Sequence, residues 1–304
     1  MEKIIVTTGQ PFTDIDALAC ALAYTELLQL EGKNVGTVLP GPLNKSVTEK
    51  IKKWKLNFSI KPGYKNAKYI LVDISDPKFF ASFVKEKDVI EVFDHRAGFE
   101  TYWKEKLSNN AKIEMVGSCA TLIWEEYNKR IHSKDISEIN ANLVYTAIAS
   151  NTLNFQASVT TKKDKKAFKN ISKFTNLPKN WIETYFKDQE KESLENPIEA
   201  ILKDTKGTGE VGSEIVVGQL EFWDSRNFVF NNLKDIEIAL TSFGKPKWFL
   251  TSPSISEGKN YLFTKNPEIK KLLEKIIDAK FDGDIGTTDK LWLRKEILKK
   301  IQEK

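Results

Sequence analysis

Residues 4–32 read IIVTTGQPFTDIDALACALAYTELLQLEG. The first five form a β-branched run. From Asp16 onward, apolar side chains recur at helical spacing up to Gly32, a residue type that often ends helices. A strand passing through a short loop into a helix is the opening unit of an α/β fold. Strand-like runs recur at NVGTVL (34–39), YILVDIS (69–75) and VIEVFD (89–94), with longer helical or polar segments between them. This alternation predicts an α/β N-terminal domain, a mainly parallel sheet flanked by helices.

Helical periodicity continues in ATLIWEEYNKR (120–130), ISEINANLVYTAIAS (136–150) and KKDKKAFKNISKF (162–174). KDQEKESLENP (187–197) is then strongly polar and ends in proline. With so few apolar residues to bury, it reads as a linker over 188–197. That divides the chain into a domain at 1–187 and a smaller C-terminal α+β domain at 198–304. In the latter, EIVVGQLEF, KWFLTSPSI and NYLFTK read as strands, and NPEIKKLLEKII and LRKEILKKIQ as helices.

Composition narrows the function classes. Over 304 residues, 40% hydrophobic and 29% charged side chains describe a globular chain without low-complexity tracts. The 47 basic and 42 acidic residues give a net charge of +5. The lysines are scattered and form no basic block with interleaved aromatics, so nucleic acid is not implied. The start, MEK followed by a strand, lacks a signal peptide's pattern, and no apolar run reaches membrane-span length. Cys20 and Cys119 lie among small or apolar residues and read as buried free thiols, which fits the reducing cytoplasm.

The chemistry-bearing residues recur at strand ends. Asp14 and Asp16 follow the first strand, Asp73 ends YILVD, and Asp94 and His95 end VIEVFDH. In open α/β sheets the ligand crevice lies beyond the carboxyl ends of the strands. Carboxylates brought together there repel one another unless a cation neutralises them, so the pattern predicts a bound divalent metal. Oxygen ligands with at most one imidazole favour Mg²⁺ or Mn²⁺ over zinc. Taken singly, Asp14 or Asp16 also reads as a helix cap, Asp73 as an exposed turn acid and His95 as a structural histidine. His132, in RIHSKD, reads as structural. Ser118 and Thr121, in VGSCATLIW, open a helix whose free N–H groups could cap locally or bind phosphate.

These residues resemble the DHH phosphoesterase family, in particular its family II (manganese-dependent) inorganic pyrophosphatases and the related exopolyphosphatases. The resemblance covers nearly the whole chain. QPFTDIDALACALAY is similar to the family's first motif, LVDISD to its second, VFDHRAGF to the DHH signature and IASNTLNFQASVTT to its fourth. IEAILKDTKG, GSEIVVGQLEFWD and LWLRKEIL resemble the partner domain that closes over the substrate. The resemblance implies a metal-dependent hydrolase of phosphoanhydrides, with pyrophosphate as the favoured substrate. Short polyphosphates or nucleotide polyphosphates are the alternatives. Asp14, Asp16 and Asp73 would be catalytic and, with His95, Gln10 and Asn151, would hold metal. Arg96, Ser118, Lys206, Arg294 and Lys295 would bind substrate. A homodimer through an edge strand would also fit.

Three positions depart from the family pattern. Gln10 replaces a histidine, Asn151 an aspartate, and Arg96 the second histidine of DHH. Losing a nitrogen ligand should shift preference from Mn²⁺ toward Mg²⁺. Losing a carboxylate should weaken a second metal. Arg96 offers bidentate contacts to phosphate but no acid catalysis. The same departures leave open a weakened enzyme that binds a phosphorylated ligand without turning it over.

Overall fold

Five parallel strands build the sheet that carries the acidic residues. In the computed structural model, β1 (Lys3–Thr7) pairs with β2 (Val35–Val38) on one side and β3 (Ala67–Val72) on the other. Beyond β3 lie β4 (Val89–Asp94) and β5 (Ala111–Ile113), giving the order β2-β1-β3-β4-β5. The described residues are 3–63, 66–131, 135–206 and 215–303. His132 lies outside them, and of Lys206 only the backbone is described. Residues from Ile5 to Thr7 and from Tyr69 to Val72 are all buried, the pattern of strands covered on both faces. Three-residue β5 was too short to stand out in the sequence.

The helices of this unit are α1 (Ile15–Leu30), α2 (Glu49–Lys52), α3 (Glu100–Leu107), α4 (Cys119–Arg130), α5 (Glu138–Asn151) and α6 (Lys162–Ile171). Thirteen of the sixteen residues of α1 are buried, so it is an interior helix with hardly any polar face. Alanines at 17, 19, 21 and 23 let α5 and α4 approach it closely. Gly32, with φ of 78°, follows the helix in the left-handed region. Because β1 pairs with β2 on one side and β3 on the other, the strand order reverses at β1. Such a reversal opens a crevice at the carboxyl ends.

The chain divides into two compact units, one of Met1–Phe155 with Val159–Ile182 and one of Gln156–Ser158 with Glu183–Lys304. Helix α7 (Trp181–Glu195) contributes to the second from Glu183 onward, followed by α8 (Pro197–Lys203) and β6 (Thr205–Lys206). The unit continues through β7 (Ile215–Gln219), α9 (Ser225–Asn231), α10 (Leu233–Thr241), β8 (Lys247–Ser254) and β9 (Lys259–Phe263). It ends with α11 (Pro267–Ile277), β10 (Lys280–Asp282), β11 (Ile285–Thr287) and α12 (Arg294–Gln302).

Its sheet runs β10-β11-β9-β8-β7-β6, parallel only between β7 and β8. Alternate residues face opposite cores. Val216, Leu250 and Phe263 pack with α8, α9 and α10, whereas Val217, Phe249 and Leu262 pack with α11 and α12.

The stretch expected to be a linker is helical apart from Asn196, since residues 188–195 end α7 and Pro197 opens α8. Lys and Glu are good helix formers, and Glu183 pairs with Lys187 one turn on, at 2.6 Å. Glu190 is buried and accepts a hydrogen bond from the Trp223 backbone. Polarity counted along the sequence missed this, because a helix needs only one buried face. Among the described residues, no helix is long and apolar enough to cross a membrane.

Candidate metal centre

Asp16, Asp73 and His95 converge. Each offers one ligand atom, and these atoms lie within 4.8 Å of one another. His95 Nε2 is 3.4 Å from Asp73 Oδ1 and 4.0 Å from Asp16 Oδ2. Asp73 and His95 directly follow β3 and β4, and Asp16 stands in the first turn of α1, the helix that follows β1.

Each side chain is aimed by its local structure. Asp73 follows β3 with φ of 55°, a left-handed conformation that aspartate tolerates better than most residues. Its N–H still donates to the Phe93 carbonyl at 2.9 Å, which anchors the turn to β4. His95 Nδ1 lies 3.1 Å from the Val116 carbonyl oxygen. Donation to that acceptor leaves the Nε2 lone pair facing the two carboxylates, the arrangement that orients a metal-binding histidine.

Asp16 is fully buried at the N-terminus of α4, where free N–H groups and the helix dipole favour negative charge. The Ser118 hydroxyl and the Ala120 N–H donate to its Oδ1 at 2.8 and 2.9 Å, and the Cys119 N–H donates to Oδ2 at 2.8 Å. The Asn151 amide, at the end of α5, also donates to Oδ2. Burial nevertheless pushes the Asp16 carboxyl above the usual range, and Asp14 adds to this, while His95 and the Ala120 and Ser118 donors oppose it. Asp73 is pushed well above that range, first by burial and then by the Asp16 and Asp14 charges, with Arg96 opposing. Two buried acids, both with raised proton affinity and both within 4.0 Å of one imidazole nitrogen, fit a divalent cation.

Other expected residues sit around this core in different roles. Asp14 caps α1, accepting from the Ala17 N–H at 2.9 Å, and is not one of the three converging groups. Gln10 is exposed. Arg96 folds back, with Nε 3.0 Å from Asp94 Oδ1 and Nη2 3.1 Å from Asp73 Oδ1, and it also donates to the Asp73 carbonyl. Burial works against the Arg96 charge, but the Asp73 and Asp94 carboxylates outweigh it and hold the guanidinium protonated. Asp94 is filled by donors: Ser75 at one oxygen, His95 N–H and Arg96 at the other.

Of the two readings of Ser118 and the α4 N-terminus, the local cap is the one seen: Ser118 is the N-cap of α4, accepting from the Ala120 N–H at 3.2 Å. Ser118 and the Cys119 and Ala120 N–H groups serve Asp16, and the Thr121 hydroxyl serves Asp164 at 2.7 Å. Carboxylates already hold the places an anion would take.

In the second unit, Arg294 is only 11% exposed. Its guanidinium binds the Asp204 carboxylate at 2.8 Å and the Asp204 carbonyl. Lys295 is exposed, and the Lys206 backbone pairs with Val217.

Sequence reading overlooked Asp164. This fully buried carboxylate forms the α6 capping box with Thr161 and accepts from the Gly117 N–H at 2.9 Å, which fixes the loop before α4. The T-x-x-D spacing of a capping box at 161–164 was the available signal. Cys20 and Cys119 are buried and unpaired, as expected, and burial pushes the Cys119 thiol up to about 12. The Cys20 thiol lies 3.6 Å from Asp16 Oδ1.

No family model matches the sequence. A "Probable manganese-dependent inorganic pyrophosphatase" of Lactobacillus helveticus is 27% identical over 100% of this chain and 99% of its own length. A protein of the same name in Listeria welshimeri is 26% identical over 79% of this chain and 77% of its own. Among solved structures, a Methanococcus jannaschii "putative family II inorganic pyrophosphatase" superposes with a TM-score of 0.58 at 22% identity, covering 99% of this chain and 98% of that one. An exopolyphosphatase-related protein from Bacteroides fragilis gives 0.52 at 14% identity, over 99% and 91% of the two chains. In sequence over its whole length, and in fold, the chain resembles the family II, manganese-dependent inorganic pyrophosphatases.

Proposed function

We propose that the protein is a metal-dependent hydrolase of phosphoanhydrides with pyrophosphate as its substrate. The observation that carries this reading is the convergence of Asp73 and His95, at the ends of β3 and β4, with Asp16, in the first turn of α1. Those three residues would hold a divalent ion, which when bound lowers the pKa of its water and polarises a phosphoryl oxygen. The protein's own groups then position and neutralise. Asp14 adds negative charge beside the ligands, and Asp16 is kept in place by the α4 N-terminus. Phosphoryl transfer depends mostly on such positioning and on charge stabilisation.

The relatives' names support pyrophosphate and manganese. The reason to favour Mg²⁺ over Mn²⁺ is the donor set, in which a single imidazole joins two carboxylates. Lys206, Lys295 and Arg294 are proposed to bind phosphate oxygens, although Arg294 would first have to release Asp204. A cytoplasmic setting fits the buried free thiols. A homodimer through edge strand β2 or β5 is also proposed, and neither nucleic acid nor membrane is expected as a partner.

Phosphate release from pyrophosphate, tripolyphosphate and nucleoside triphosphates, measured side by side in Mg²⁺ and Mn²⁺, tests the reading. Pyrophosphate should be cleaved fastest, and Asp73→Ala should abolish turnover while keeping the native circular dichroism. Binding of these compounds without phosphate release in either metal would favour the second reading, a phosphoryl-ligand binder. Asn151 and Arg96, as donors held on the two carboxylates, favour that alternative.

A further inference from the structure

Resting on the reading of Asp16, Asp73 and His95 as a cation site, we infer that the centre takes one divalent ion per chain, because Arg96 is a tethered second cation. A second ion needs free oxygen donors beside the first. Asp14, whose charge reaches Asp16 and Asp73, has the Ala17 N–H on its Oδ1 and keeps acceptor capacity, but the other carboxylates there are more heavily engaged. Asp94 has three donors on one oxygen and one on the other. Ser75 occupies Oδ2 at 2.6 Å, and the His95 N–H, Arg96 N–H and Arg96 Nε occupy Oδ1 at 2.8, 3.3 and 3.0 Å. Asp16 receives Ser118 and Ala120 on one oxygen and Cys119 and Asn151 on the other. With two donors on each oxygen, its lone pairs are nearly used up. Asp73 already has the Arg96 guanidinium on Oδ1 and on its backbone carbonyl.

Charge and tethering lead to the same count. Arg96 brings a permanent positive charge to Asp73 and Asp94 at once, through a fork whose geometry suits two acceptors. Because the guanidinium belongs to a residue two positions from Asp94, it competes with any free ion at a high effective concentration. An incoming second ion would have to displace this group and accept the repulsion of both the first ion and the displaced arginine. Asn151 works in the same direction, since it presents an N–H to Asp16 and contributes no negative charge. The first ion has to share the Asp16 and Asp73 carboxylates with these donors too, but its three ligand atoms already lie within 4.8 Å of one another and need no group displaced from between them and a second ion.

The experiment is Mn²⁺ binding to the full chain by equilibrium dialysis with metal analysis, alongside the paramagnetic resonance spectrum of the bound ion. One Mn²⁺ per chain is expected, with the six-line signal of an isolated ion. In Arg96→His and Arg96→Ala, a second Mn²⁺ should bind about tenfold or more tightly than any weak second site of the wild type, with an exchange-coupled spectrum. Arg96→Lys, which keeps charge but loses the fork, should fall between. Two tightly bound, coupled ions in the wild type would overturn the inference alone, and that measurement does not depend on any variant folding. Unchanged stoichiometry in both Arg96→His and Arg96→Ala, with native circular dichroism, would overturn it too. Uptake of no ion at all would sink the underlying cation-site reading as well.

Discussion

At the scale of single residues, Asp16 and Asp73 are each positioned for one task and destabilised by it. Both carboxyls have raised proton affinity in the folded chain, with burial the first cause in each case. Well below the ordinary aspartate pKa, folded and unfolded chains both hold the protons and stability is unaffected. As pH rises, the unfolded chain releases its protons first, so metal-free stability falls until the raised folded values are passed. Divalent metal should reverse this trend, because it binds the ionised forms and competes with protons. Thermal melts from pH 5 to 8, with chelator and with Mg²⁺ or Mn²⁺, should show a metal-dependent gain that grows with pH. A gain that shrinks with pH would contradict it. Asp16→Ala should also destabilise the chain, by on the order of 3 kcal/mol in urea titration, since it strands the buried Ser118, Cys119 and Ala120 donors.

At the scale of elements, the N-terminus of α4 is the part on which the centre depends. Its first N–H groups hold Asp16, and the loop before it is pinned by Asp164 through Gly117. A Cβ at Gly117 would come within 2.5 Å of Thr152 Cγ2 and 3.0 Å of Asp164 Oδ2. Gly117→Ala should therefore cost about 1–3 kcal/mol of stability and weaken metal binding without touching a ligand. Thermal melting and Mn²⁺ titration would check the two effects together. Asp164→Ala should be the more damaging change, since it leaves the Gly117, Thr121 and Thr161 donors without their acceptor. A loss under about 1 kcal/mol would show that the loop holds itself.

At the scale of the whole molecule, each unit has its own sheet and core, and the converging ligands all belong to the first. Metal should thus stabilise the two units unequally. At an ion concentration 100 times the dissociation constant, the linkage gain is about 2.7 kcal/mol. In calorimetry it should move the transition of the first unit while leaving that of the second in place. A single transition shifting as one would show that the units unfold together.

Several features could be read directly from the sequence because they depend on local order. Strand-to-helix alternation set the α/β class, and Asp16, Asp73 and His95 could be placed at strand ends because the chain direction in a parallel sheet brings those ends to one edge. Resemblance in the motifs carried the reading on to pyrophosphate. What depends on contacts between distant residues was decided only by the tertiary structure. Asp14 became a cap while its neighbour Asp16 became part of the cluster, because Asp16 meets an α4 helix more than a hundred residues further along. Arg96 and Arg294 met carboxylates within their own units, and the polar run near 190 gained a buried face as a helix. Residue type and spacing fix which groups reach a sheet edge. Which hydrogen bonds those groups then make is set by packing, since a buried donor must find an acceptor wherever the fold supplies one.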